Sequence, residues 1–199
     1  MSNIITYNVI CSMPERLQPL KEIAMNLWFC WNPEGISLFF RIDNNLLEET
    51  KHNPILMLSL LSEKRLHELL NDDGFLRQMD ETYDKFKAYI DSKKIFDYLE
   101  EIPENLLIAY FSMEYGLTES IPVYSGGLGV LSGDHLKSSS DLRIPLVGIG
   151  LMYHQGYLQQ YLNPEGWQIE YYPDNDIRNM AVKVIKDKNK QPLILTINI

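Results

Sequence analysis

The chain has 199 residues, enough for one well-buried domain or one and a half small ones; 45% hydrophobic and 11% aromatic residues place it with soluble globular chains, not disordered ones. A formal net charge of −9 argues against a nucleic-acid or anionic-membrane surface. No apolar run approaches the roughly 20 residues that cross a bilayer, the N-terminus lacks the basic start and apolar core of a secretory signal, and Cys11 and Cys30 alone build no disulfide framework. A reducing cytoplasm is the expected compartment, with both thiols as small core residues.

In chain order, Ile4–Ile10 alternates enough for a short strand or an extended arm, and Pro14 suits the first turn of a helix. Leu17, Leu20, Ala24, Leu27, Trp28 and Trp31 recur at three- and four-residue steps and predict one helical face. On that face the tryptophans read as a packed aromatic stripe, not a cofactor box. Asn32-Pro33 closes this helix and opens the next, with Asn32 as cap, Pro33 in the first position, and Ile36, Phe39 and Phe40 on the apolar side. Asn53-Pro54 repeats the device ahead of Ile55–Leu58. Ser62 is the expected cap of a helix carrying Leu66, Leu69 and Leu70, and Asp73 that of one carrying Leu76, Met79, Tyr83, Phe86 and Ile90. Residues 15–95 are therefore predicted as short amphipathic helices without strands. His52 and His67 stand apart from other metal-ligating types and are expected in solvated or capping roles. Asp72-Asp73, before Gly74, fits capping better than acid–base work. The charged stretch Asp91–Asn105 is the expected hinge.

Leu106–Phe111 then reads as a buried strand. A polar turn leads to Ser125-Gly126-Gly127-Leu128-Gly129 and on to a helix over Val130–Asp141, weakened by Ser138-Ser139-Ser140. Gly133 and those serines are small enough to let the helix sit close on a sheet. Ile144–Met152 is the next strand, apolar on both sides as in a covered parallel sheet. Strand, crossover and strand form a βαβ unit, expected right-handed, with the glycine turn at the carboxyl end of the first strand, where open α/β sheets bind ligands. Such a turn is a ready anion site, because glycines let backbone N–H groups converge and the helix N-terminus adds partial positive charge. The spacing of Gly126, Gly127 and Gly129 is not that of a dinucleotide loop, and no Gly-Lys-Ser/Thr follows. Taken bare, the turn is equally compatible with a tight connection that holds no ligand.

Lys137 and Arg143 are the nearest cations, so any phosphate there is held by backbone geometry. Asp134 and His135 point about 100° apart on a helix and do not converge on one atom. His135 shares a stripe with Leu128, Leu131 and Leu142 and is expected to be structural. Beyond the second strand, Tyr153–Tyr161 reads as extended, with a turn at Asn163-Pro164-Glu165-Gly166. Met180–Ile185 and Leu193–Ile199 are predicted to pair across Asp187–Gln191.

Three blocks carry a resemblance: Ala109–Leu117 (AYFSMEYGL), Tyr124–His135 (YSGGLGVLSGDH) and Leu146–Tyr153 (LVGIGLMY), with Gly166-Trp167-Gln168 beyond them. Their order and spacing resemble the N-terminal domain of α-glucan (glycogen/starch) phosphorylases, pyridoxal-phosphate glycosyltransferases of the two-domain GT-B architecture. Leu17–Leu20, Asn26–Pro33 and His52-Asn53-Pro54 resemble the helical extension of one bacterial and archaeal subgroup. The resemblance implies an α/β fold: an N-terminal helical extension over residues 1–102, then the start of a GT-B, Rossmann-like first domain over residues 103–199, incomplete here. Leu195–Ile199 has no closing polar segment, and the resemblance implies the N-terminal portion of a longer enzyme, inactive on its own.

The implied activity is phosphorolysis of α-1,4-glucan to glucose 1-phosphate, with the glucan and inorganic phosphate as partners, pyridoxal 5′-phosphate on a lysine outside this chain, and a homo-oligomer as one option for the full-length protein. The implied site is the backbone of Gly126, Gly127, Leu128 and Gly129, supported by Glu114 and Ser125, with no catalytic or metal-binding side chain assigned. Two other readings stay open. One is a glycogen or starch synthase-type nucleotide-sugar transferase, whose related Gly-Gly-Leu-Gly loop is usually preceded by Lys where this chain has Ser125. The other is a non-enzymatic carbohydrate-binding or interaction module built on the helical block.

Overall fold

A computed structural model of the chain describes residues 12–92, 105–194 and 196. The arm expected at Ile4–Ile10, most of the hinge and the end of the last strand lie outside these residues.

The first part is helical throughout, in line with the sequence pattern: α1 Gln18–Ala24, α2 Pro33–Ile42, α3 Asn44–Glu49, α4 Pro54–Leu60, α5 Glu63–Leu70 and α6 Asp73–Asp91. Its core is one cluster in which Leu17, Leu20, Leu38, Phe39, Met57, Phe75 and Met79 are almost wholly removed from water. The cap chemistry places the helix starts. Asn53 accepts from the N–H groups of Ile55 and Leu56, and Ser62 from that of Arg65, as expected. For α6 the cap is Asp72, accepting from Phe75 N–H at 2.8 Å, and not Asp73, which is already helical.

The single face expected over residues 17–31 is two pieces. A 3₁₀ turn at Glu15–Leu17 precedes α1, and a second covers Leu27–Trp31. Asn26 causes the break: it is extended, and its side chain accepts from Trp28 N–H at 2.9 Å, which competes with continuing the helix. Pro14 caps the first turn and Pro19 opens α1. Asn32 stands at the cap position of α2 but caps nothing; its amide donates back to the Trp28 carbonyl at 2.8 Å. Trp28 is core, tilted against Phe86 and Tyr89. On α2 the buried side is Gly35, Leu38, Phe39 and Ile42, with Phe40 turned outward.

The second part begins with β1 Ile108–Phe111, crosses through α7 Gly127–Asp141, and returns as β2 Leu146–Ile149. The strands are parallel, pairing Ile108 with Leu146 and Phe111 with Ile149, so the expected strand–helix–strand unit is present. The helix starts earlier than expected, at Gly127, so the glycine segment is its first turn, not a loop before it. The strands are not buried. Phe111 is about 70% exposed, and Val147 and Ile149 are also largely bare, because among the described residues one helix, α7, and the Tyr115 ring are what pack on this pair. The stripe Leu128 and Leu131 is exposed for the same reason, and α7 buries its small residues instead, Gly129, Ser132, Gly133 and Ser139.

Past β2, β3 Gln159–Leu162 and β4 Gln168–Tyr171 form an antiparallel hairpin across the expected Asn163–Gly166 turn, where Gly166 has φ +83°. Of the hairpin expected further on, the closed end is described, with Leu193 N–H donating to the Ile185 carbonyl at 2.8 Å, and most of Leu193–Ile199 lies outside the described residues. Lys186 bridges Pro192, and Asp187 accepts from the N–H groups of Asn189 and Gln191.

Candidate functional site

The site forms where β1 ends and α7 begins. Between them the chain runs Ser112–Ser125 as a folded loop, anchored at both ends. Tyr115, left without a role by the sequence, is its clamp. Its buried hydroxyl lies 2.7 Å from the Tyr110 carbonyl and 3.1 Å from that of Ile149, so one donor ties the loop to both strand ends. Gly148 and Gly150 make room for its ring. Ser132 lies at the helix–strand contact, within 2.9 Å of the Ser112 hydroxyl and 3.2 Å of that of Tyr110.

The glycines divide into two kinds. Gly129 and Gly133 are packing residues: a Cβ on Gly129 would meet Tyr124, and one on Gly133 would meet the Gly116 carbonyl. Gly116 N–H donates to the Gly129 carbonyl at 2.7 Å, which draws the loop and α7 together. Gly126 and Gly127 are the other kind. Nothing lies within 4 Å of where their Cβ atoms would stand, and both are exposed. Gly126 is the N-cap, with no side chain to satisfy the turn. The N–H groups of Gly126, Gly127, Leu128 and Gly129 therefore have no acceptor among the described residues, as the first donors of a helix do when nothing caps them. The strands beside them are uncharged, and open amides at a helix N-terminus suit an anionic group such as a phosphate, which would be held there against one neighbouring negative charge, the Glu114 carboxylate behind the turn.

Glu114 and Ser125 come together. One carboxylate oxygen of Glu114 accepts from Ser125 N–H and the other from its hydroxyl, each at 3.2 Å. This pair fixes the approach to the turn while leaving the amides beyond it free. The sequence reading missed the residues around it. A cavity of about 190 Å³ is bounded by Glu114, Tyr124, Ser125, Tyr153, Gln155 and Tyr157. A shallower cleft of about 460 Å³ follows the strand ends, between Phe111, Ser112, Leu128 and Leu151. The only advance signal was the aromatic run after Ile149.

Asp134 and His135 do not converge on the turn; His135 sets its ring edge-to-face on Tyr110 at 4.8 Å. Arg143 is also remote. It follows the C-terminal end of α7, about 20 Å along the axis, with its guanidinium 3.8 Å from the centre of the Tyr89 ring. His52 is not merely solvated: it stands between Glu48 at 3.1 Å and Glu119 at 2.8 Å, with φ +54°. No group of three or more His, Cys, Asp or Glu fit for a metal occurs among the described residues. No described helix is long and apolar enough to cross a membrane.

Comparison with known proteins places the chain in a family. Residues 13–121, just over half of the chain, match the family described as "Protein of unknown function (DUF3417)". Glycogen phosphorylase of Mycobacterium tuberculosis is 37% identical over 204 residues, covering 99% of this chain and 23% of the relative. Maltodextrin phosphorylase of Thermococcus litoralis is 37% identical over 187 residues, 94% of this chain and 22% of the relative. Glycogen phosphorylase of Aquifex aeolicus is 41% identical over 169 residues, 85% of this chain and 24% of the relative. The chain thus spans about a quarter of the length of these relatives. No solved structure matches it. The chain belongs to the DUF3417 family and is the counterpart of the N-terminal portion of the α-glucan phosphorylases.

Proposed function

We propose that this chain is the phosphate-facing wall of an α-1,4-glucan phosphorylase, which releases glucose 1-phosphate from glucan and inorganic phosphate. Residues 1–102 are then the helical extension, and residues 103–199 the start of a GT-B first domain. The observation that carries the reading is the open first turn of α7, with exposed amides at Gly126, Gly127 and Leu128 that have no acceptor among the described residues and no side chain standing over the two glycines. Fixed amide dipoles need no reorganisation as charge develops on a phosphate, which is why they stabilise a transition state better than mobile groups. Glu114 and Ser125 hold the turn in place, and the cleft at the strand ends leaves room for a sugar beside it.

In this reading pyridoxal phosphate, carried by a lysine outside this chain, supplies a phosphate group that takes part in proton transfer. This chain's part is to bind and orient the substrate phosphate. The reading goes with a cytoplasmic enzyme whose partners are the glucan and phosphate, and it leaves room for a homo-oligomer. A nucleotide-sugar transferase is the weaker reading, because Ser125, bonded to Glu114, occupies the place where that class usually has Lys.

Gly127→Ala tests it. A methyl group there meets no protein atom, so the fold is retained while the methyl enters the anion's space. In a complete phosphorylase carrying this segment, the expected loss in kcat/KM for phosphate is about 100-fold, the usual effect of disabling one such donor, with an unchanged melting temperature. Unchanged phosphorolysis removes the turn from the mechanism.

A further inference from the structure

A second concavity, away from the glycine turn, lies at the joint between the helical part and the Ser112–Ser125 loop. It encloses about 320 Å³. One wall is apolar and aromatic, from Phe29, Ile36, Phe39 and Phe40; the other is the loop segment Leu117–Glu119. Phe29 and Phe39 meet edge-to-face at 5.4 Å, and Phe40 faces the His52 ring at 6.1 Å. A cavity of this size, mostly apolar with a few convergent polar groups, has the make-up of a small-molecule site.

The polar groups give the sign of the charge it would take. Glu119 presents one oxygen to His52 at 2.8 Å, and its other oxygen has no partner among the described residues. No Lys or Arg lines the cavity among the described residues; His52 does, but it stands between two carboxylates, Glu48 and Glu119, which together outweigh the single charge of its imidazolium. The chain as a whole carries −9. We propose that this cavity is a binding site for a small aromatic cation, with its ring among the phenylalanines and its ammonium group on the Glu119 carboxylate. Aromatic faces also attract such a cation directly.

An occupant here touches the loop that braces the glycine turn. Leu117 follows Gly116, whose N–H holds the Gly129 carbonyl. Any effect on the turn rests on the phosphate reading above; binding itself does not.

The experiment is saturation-transfer NMR on the full chain with tryptamine, indole and indole-3-acetate as probes. Tryptamine is expected to bind about fivefold more tightly than indole, the worth of one partly exposed ion pair, and indole-3-acetate more weakly than either. Glu119→Gln, at an exposed carboxylate, erases the advantage of tryptamine over indole and leaves indole unchanged. Ile36→Trp fills the cavity and abolishes both; should that variant fail to fold, Phe40→Ala takes its place and is expected to weaken both, undiminished binding overturning the proposal. Gly127→Ala leaves tryptamine binding unchanged, so the two readings fail separately. Absence of binding at about 1 mM tryptamine, equal binding of the acetate, or full binding to the folded Ile36→Trp protein overturns the proposal.

Discussion

Glu114 uses both carboxylate oxygens on one neighbour, the N–H and hydroxyl of Ser125, and so governs how the chain enters α7. Hydrogen bonds to an ionised group contribute about 1.5–3 kcal/mol each when partly shielded from water, and solvent at this exposed turn puts the pair at or below the low end. Glu114→Ala is expected to loosen the turn locally, without unfolding the domain. Amide hydrogen exchange at Ser125 reads this directly: it accelerates in Glu114→Ala and stays slow in Ser125→Ala, which keeps the backbone bond. Equal exchange in wild type and Glu114→Ala would deny Glu114 its positioning role. At this scale the motif itself was readable, since Gly126–Gly129 stood out by composition. The division of labour among its glycines was not. Gly129 is fixed by Tyr124 and Gly116, and those contacts follow from how the loop folds back, which a linear pattern does not encode.

The elements repeat that lesson with longer lever arms. Helix starts at Asn53 and Ser62 were readable because a cap is a local device, satisfied within three residues. The break at Asn26 was missed because apolar spacing runs straight through it, while a side-chain bond decides the backbone. Strand burial was overestimated because an apolar run reports what a strand needs to cover, not whether a cover is present among the described residues.

Helix α7 carries a prediction of its own. Replacing a mid-helix glycine by alanine normally stabilises by about 1 kcal/mol. At Gly133 the sign reverses, because the added methyl would collide with the Gly116 carbonyl, and backbone cannot swing aside as a side chain can. Gly133→Ala is expected to lower stability by about 1–3 kcal/mol, the cost of overpacking a tight contact. A urea titration followed by circular dichroism measures it, and a midpoint equal to or above wild type contradicts the packing account.

Over the whole molecule, the two parts meet through polar contacts spread along the seam. Trp31 and Tyr89 both donate to Asp141, Asn53 donates to the Asn179 carbonyl, Arg143 donates to the Tyr89 carbonyl, and His52 joins Glu119. Among these the His52 contact is the one whose protonation changes near neutral pH. It faces Glu48 from α3, Glu119 from the loop and the Phe40 ring from α2, with Lys51 beside it in the chain. Its pKa is raised from the ordinary 6.5, first by the hydrogen bond to Glu119 and then by that to Glu48. A raised folded-state value means that the contribution is complete below the unfolded value, and is lost as pH climbs through the folded one. The reason is countable: imidazolium donates to both carboxylates, whereas neutral imidazole has a single N–H and keeps only one. His52→Asn tests this without backbone strain, since asparagine tolerates the left-handed conformation found here. Wild type should melt above the variant at about pH 6, and the gap should narrow as pH passes upward through the raised value. Adding Glu119→Gln should shrink the gap at low pH. A gap that is constant from about pH 6 to about pH 9 would show that His52 contributes shape alone, and that the seam is held together by the other contacts, whose charges do not change in this range.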